Sequence, residues 1–173
     1  MLKKKYTILL ITIIIIIIVL FFSLSVYTLE LRSFSDSELI FKRKVQIGDK
    51  FTLKYTHSVS LTPVWEIFII GDNYQIVLTE TDFLDHGAGL PYAAFGEEKF
   101  INEEGKFKIV NMHRTINVPF YYRIGAIREN IFYFKDEEID LSTLVGDNLL
   151  TLDLFKHNLF NYFLGGIFIW LKN

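Results

Sequence analysis

Residues 64–70 (VWEIFII), 71–73 (GDN) and 74–83 (YQIVLTETDF) are the stretch on which the fold turns. Two runs rich in β-branched and aromatic residues flank a short Gly/Asp/Asn turn, which is the signature of a β-hairpin. The same signal extends in both directions. Upstream, 39–45 ends in a Gln46-Ile47-Gly48-Asp49 turn and 50–58 resumes an alternating pattern. Downstream, 106–112, 115–122, 131–135 and 148–155 read as further strands. No long segment of 3.6-residue period separates them. The pattern predicts a mainly β domain, an antiparallel β-sandwich or barrel-like fold, and not a parallel α/β sheet.

One N-terminal transmembrane helix is expected before this domain. Lys3, Lys4 and Lys5 precede 24 uncharged residues, 6–29, whose centre at 8–22 is almost wholly Ile, Leu, Val and Phe, with Thr12 the polar exception. At about 1.5 Å per residue this run reaches roughly 36 Å, enough for a hydrocarbon core of about 30 Å. The lysines favour the cytoplasmic side, so the N-terminus is expected to be cytoplasmic and the domain extracytoplasmic, in a single-pass cell-membrane protein. A cleaved signal peptide ending near Ser23 or Ser25 is the competing reading. The length of the run, its lack of alanine and the bulky Leu24, Val26 and Tyr27 favour the uncleaved anchor.

The expected organisation is therefore an anchor at 1–29, a polar juxtamembrane linker at 30–37 (ELRSFSDS) and an extracytoplasmic domain at 38–173. Fully extended, the linker covers at most about 28 Å. In the tail, 157–166 (HNLFNYFLGG) reads as one or two helical turns stopped by Gly165-Gly166, and 167–173 (IFIWLKN) as a closing strand packed into the domain. An apolar element resting on the bilayer is the alternative for this tail.

Composition narrows the chemistry. The chain has no cysteine, which excludes disulfides, thiolate metal sites and cysteine nucleophiles. Outside the three anchor lysines, 15 basic residues face 20 acidic ones. A domain of that balance lacks the clustered cations that nucleic-acid phosphates require.

Two stretches carry candidate site residues. In 55–66 (YTHSVSLTPVWE), Tyr55 and His57 share one strand face, and Pro63 bends the chain because it cannot donate to a ladder. The bend could return Glu66 towards His57. A histidine beside a carboxylate serves as a general base, a metal ligand or a hydrogen-bonded strut, and the strut is the favoured reading. In 80–91 (ETDFLDHGAGLP), Glu80 and Asp82 share a face, while Gly87 and Gly89 permit close backbone approach before Pro91. Ser58 is adjacent to His57 and points away from it, so the two do not form a nucleophile–base pair. Four scattered histidines have no zinc spacing, and Asp136, Glu137, Glu138 and Asp140 read as a solvated turn.

Tyr55-Thr56-His57-Ser58-Val59, Thr62-Pro63-Val64 and Glu66, followed by Glu80-Thr81-x-Phe83 and Gly87-Ala88-Gly89-Leu90-Pro91, resemble the two signatures of the domain of unknown function 1850 family. Gly48-Asp49-x-Phe51 fits the turn before the first signature. Members of that family are often encoded beside, or fused to, the membrane subunit of TAXI-type TRAP transporters. The resemblance thus implies an accessory or interaction subunit of a solute uptake system, with the permease and its solute-binding protein as partners, and by itself implies no reaction. No catalysis and no cofactor are expected, because no catalytic constellation is recognisable. The alternative is an extracytoplasmic ligand- or metal-binding module that uses His57, Glu66, Glu80 and the Gly87–Gly89 loop. On either reading the candidate ligand- or partner-binding residues are Tyr55, His57, Ser58, Glu66, Glu80, Asp82, Gly87, Gly89 and Pro91. A hydrolase built on His57 is the least favoured reading, since no activated nucleophile is recognisable.

Overall fold

The computed structural model describes residues 2–85, 93–125 and 128–170, with the backbone alone for 2–3 and 165–170. Its elements run α1 (Leu2–Ser23), β1 (Ser25–Ser33), β2 (Leu39–Val45), β3 (Lys50–Thr56), β4 (Pro63–Ile70), β5 (Ile76–Phe83), β6 (Lys99–Glu103), β7 (Lys106–Val110), β8 (Arg114–Ile116), β9 (Phe120–Ile124), β10 (Asn130–Phe134), β11 (Glu137–Asp140), α2 (Leu141–Val145), β12 (Asn148–Asn158) and α3 (Leu159–Trp170). They form two compact units: Met1–Thr28 with Phe155–Asn173, and Leu29–Leu154.

In the larger unit two antiparallel sheets face each other. One has the order β2-β1-β12-β9; the other runs β11-β10-β3-β4-β5-β7-β6, with β8 also paired to β5. The hairpin of β4 and β5 forms as expected, with Val64 opposite Phe83 and Ile70 opposite Ile76. Tyr74 belongs to its turn, where it has a positive φ of 54°, and the strand starts at Ile76.

Aromatic residues fill the space between the sheets. Phe51, Phe68, Phe83, Phe132 and Phe134 are almost completely buried. Phe51 stacks on Phe68 with ring centroids 4.8 Å apart. From the opposite sheet Phe41 meets Phe132 at 4.9 Å and Phe134 at 5.5 Å, and Phe120 meets Phe68 at 6.3 Å. Each such side chain contributes roughly 2–3 kcal/mol by leaving water.

Several expectations need correction. Residues 30–33 are not linker: they complete β1, with Leu31 buried and Glu30 only 1 % exposed. The polarity of the stretch misleads because Glu30 is neutralised within the fold. Arg32 Nε and Nη2 donate to Glu30 Oε2 at 3.0 and 2.6 Å, and Lys42 Nζ lies 2.8 Å from Oε1. The strand expected at 115–122 is two strands, β8 and β9, which lie in different sheets. Pro119, which has no N–H to give a ladder, separates them. The acidic run is not only a turn. Glu137 starts β11 and takes a bidentate bond from Arg43 at 2.6 Å, and Asp140 caps α2 by accepting from Thr143 N at 3.1 Å.

In the smaller unit, α1 contains a 20-residue segment, Lys4–Ser23, long and apolar enough to cross a membrane. Thr12 satisfies its hydroxyl within the helix by donating to Ile8 O at 3.0 Å. The helix is shorter than the uncharged run, because the chain from Ser25 becomes β1. The tail is not a closing strand and does not stop at the glycines: α3 is helical through Gly165 and Gly166 to Trp170 and groups with α1.

Removing one ring should expose how far the sandwich depends on the aromatic layer. Phe132→Ala should cost about 3–5 kcal/mol in urea unfolding, as for other buried Phe truncations. A loss below about 1 kcal/mol would contradict the packing described.

Candidate ligand pocket

The β3–β4 register decides which side chains face inward. Leu53 lies opposite Glu66 and Tyr55 opposite Val64, so Phe51, Leu53, Tyr55, Val64, Glu66 and Phe68 share the face that packs on the second sheet. Glu66 is therefore an inward carboxyl among apolar neighbours. Its burial pushes its pKa up, while the hydrogen bond from the Tyr55 hydroxyl acts in the opposite direction. Burial together with Glu66 pushes the Tyr55 hydroxyl well above its ordinary value, so it stays protonated and donates. Tyr122, arriving from β9, is pushed up by burial, by Glu66 and by Tyr55. Its hydroxyl donates to Asn130 Oδ1 at 3.1 Å.

Tyr55, Tyr122 and Asn130, but not Glu66, border a pocket of about 340 Å³ where β3 and β9 end and β10 begins. Tyr55, Thr56, His57 and Ser58 line it from β3 and the loop that follows; Tyr122, Arg123 and Gly125 come from β9 and its end; Arg128 and Asn130 lead into β10. Asn130 is fixed by α2: its backbone N–H donates to Ser142 Oγ at 2.8 Å, and Ser142 Oγ donates to Arg128 O at 2.6 Å. Arg123 pairs with Asp147 at 2.7 Å. Arg128 Nη2 donates to the Ser58 carbonyl at 3.2 Å and pairs with no carboxylate among the described residues.

His57 has the strut geometry. Its backbone N–H donates to Thr62 O at 2.8 Å, closing the 57–62 loop. Its Nδ1 accepts from Val59 N at 3.3 Å and Ser60 N at 3.2 Å. That makes Nδ1 the unprotonated nitrogen, so the ring carries its proton on Nε2. Ser60 Oγ lies 3.0 Å from Nδ1 and 2.8 Å from Thr62 Oγ1. This serine–histidine contact is a local cap, since the same Nδ1 lone pair already serves two backbone donors.

The expected site residues thus separate into groups. Tyr55, His57 and Ser58 line the pocket, and Glu66 lies behind Tyr55. Glu66 does not fold back to His57; the strand register carries it inward instead. Glu80 and Asp82 do not join them. Asp82 pairs with Trp65, and Glu80 with Ile67, on the opposite face of the sheet. There Lys106 Nζ contacts Asp82 Oδ2 at 2.5 Å and sits 4.7 Å from the Trp65 ring centroid. Asp82 Oδ1 is buried without a hydrogen-bond partner among the described residues. Burial and the adjacent Asp82 push the Glu80 carboxyl up. Gly87, Gly89 and Pro91 lie outside the described residues. No cluster of three metal-ligating side chains occurs among the described residues. Tyr122, Arg123, Arg128 and Asn130 were not anticipated, because their convergence depends on sheet pairing and not on a local motif.

Fold and site together define an antiparallel β-sandwich that carries a small, cation-rimmed pocket. Residues 51–141, 91 of 173, match the family described as Domain of unknown function (DUF1850), and the chain belongs to that family. Every residue that lines the pocket lies inside the matched segment. No curated protein and no solved structure matches the chain.

Two substitutions test this site. Asn places an acceptor where His57 Nδ1 stands, so His57→Asn should keep the loop, whereas His57→Ala should cost about 1–2 kcal/mol of unfolding free energy. Equal losses in both would count against the strut. Glu66, with a raised pKa, contributes stability that is complete below its ordinary value of 4.5 and is lost as pH rises through the folded value. Glu66→Gln should therefore gain in melting temperature over the native chain as pH rises from 4.5 to 8. Parallel pH curves for the two proteins would refute the assignment.

Proposed function

We propose that the protein is a membrane-anchored, extracytoplasmic accessory subunit of a solute uptake system, which holds a small organic anion in its pocket and carries out no reaction on it. The carrying observation is Arg128: a guanidinium at the rim of a 340 Å³ pocket, fixed by a backbone carbonyl and lacking a carboxylate partner among the described residues. A pocket of this size is at the lower end of ligand sites, which suits a short organic acid. A planar guanidinium donates two parallel hydrogen bonds to a carboxylate, and a half-enclosed site strengthens them. The raised pKa of Glu66 supports this reading, because a carboxyl biased towards its neutral form repels an incoming anion less.

The link to uptake rests on the family resemblance, which implies a TAXI-type TRAP permease and its solute-binding protein as partners. The apolar α1, which carries Lys3 to Lys5 in its first turns, supports a single-pass anchor with a cytoplasmic N-terminus.

Titration calorimetry with a panel of mono- and dicarboxylates should find a ligand whose affinity falls about 10- to 100-fold in Arg128→Gln, matching one charge-assisted bond of about 1.5–3 kcal/mol. No binding across the panel would sink the pocket assignment. Separately, the tagged protein should retain a transporter subunit when purified from its native membrane, and its deletion should slow uptake of the same acid. Failure of both would reject the transport role.

A further inference from the structure

We infer that α3 is a second membrane element, embedded in the outer leaflet against the end of α1. This rests on the reading of α1 as a membrane helix. The two helices belong to one compact unit and run antiparallel where they meet. Phe22 stacks on Phe160 with centroids 4.9 Å apart, and Phe21 meets Phe163 at 6.0 Å, so advancing along α3 means retreating along α1. Leu159 N donates to Leu24 O at 3.1 Å, which ties the start of α3 to the end of α1. Asn158 caps α3 by accepting from Asn161 N at 2.7 Å, so the helix starts in a defined place.

The chemistry identifies lipid as the occupant of the free face. No charged residue occurs from 158 to 171. Phe160, Phe163 and Leu164 are 40, 53 and 37 % exposed. A helix on a water-facing surface carries a polar stripe, and α3 has none to offer. In water, these rings would extend the apolar surface of α1 into a large exposed patch of the kind that marks a membrane or protein contact. Twelve residues rise about 18 Å, which covers roughly half of a hydrocarbon core of about 30 Å. A helix of that length enters one leaflet and does not cross both.

The absence of cysteine allows a direct test. Single cysteines replace Phe163, Leu164, Ile14 in α1, or Tyr121, whose ring is 54 % exposed on the larger unit. Each full-length variant is labelled with an environment-sensitive fluorophore and reconstituted in phosphatidylcholine–phosphatidylglycerol vesicles containing nitroxide-labelled lipids. Quenching at Phe163 and Leu164 should approach that at Ile14 and exceed that at Tyr121 by roughly threefold or more. Quenching at Ile14 alone would overturn the inference and leave the anchor standing. Quenching at none of the sites would overturn both. Leu164 provides an independent reading if the Phe163 variant does not fold.

Discussion

In the β3–β4 ladder Leu53 stands opposite Glu66 and Tyr55 opposite Val64, and the inward face of the large sheet follows from that pairing. A slip of β3 by one residue would turn Phe51, Leu53 and Tyr55 to the outside and bring Thr52 and Lys54 in, exchanging its core face for a polar one. The register is thus held by the aromatic layer. The same register brings Glu66 inside, where a carboxylate alone would be costly. The cost is limited by the Tyr55 hydroxyl and by the shift of Glu66 towards its neutral form. Core and pocket are two consequences of one alignment, and neither can be moved without the other.

The two faces of that sheet divide the charge. Outward, Lys54, Trp65, Asp82 and Lys108 form one row across β3, β4, β5 and β7, with opposite charges next to each other. Inward, the corresponding row is Leu53, Glu66, Thr81 and Ile109. The charges of the outward row are compensated by neighbours on the same sheet or beside it: Lys54 pairs with Glu129, Asp82 with Lys106 and Lys108 with Glu103. At the pocket the balance differs: Arg123 is paired, whereas Arg128, among the described residues, bonds to the Ser58 carbonyl and to no carboxylate. A cation positioned by a neutral acceptor keeps its charge uncompensated at the pocket rim.

Alternation and turn chemistry made the hairpin, β2, β3 and β10 readable within a residue or two, since period 2 and Gly/Asp/Asn turns act locally. What failed to read was non-local. Glu30 and Arg32 looked like linker because their neutralisation depends on Lys42 in the neighbouring strand. Residues 115–122 looked like one strand because an apolar run does not say which sheet each half joins. In 57–62, the sequence suggested a strut, but the Ser60 contact depends on a loop that returns the chain over the ring. The pocket was half legible: Tyr55, His57 and Ser58 come from one motif, while Tyr122, Arg128 and Asn130 meet them only after β9 and β10 have taken their places in opposite sheets.

Glu66 and Arg128 also bear on each other through linkage. An anion seated near Arg128, as proposed, adds negative charge close to the Tyr55–Tyr122 pair that screens Glu66. That charge favours the neutral form of Glu66, so binding and proton uptake reinforce each other. The reciprocal holds: a protonated Glu66 removes a repulsion and tightens the site. Burial has already moved the carboxyl in this direction without a ligand, so less of the binding energy is consumed in neutralising it. On that reading, a carboxyl that looks out of place in an apolar sandwich would make the pocket more tolerant of anions, while the tyrosines, held protonated, leave its wall uncharged.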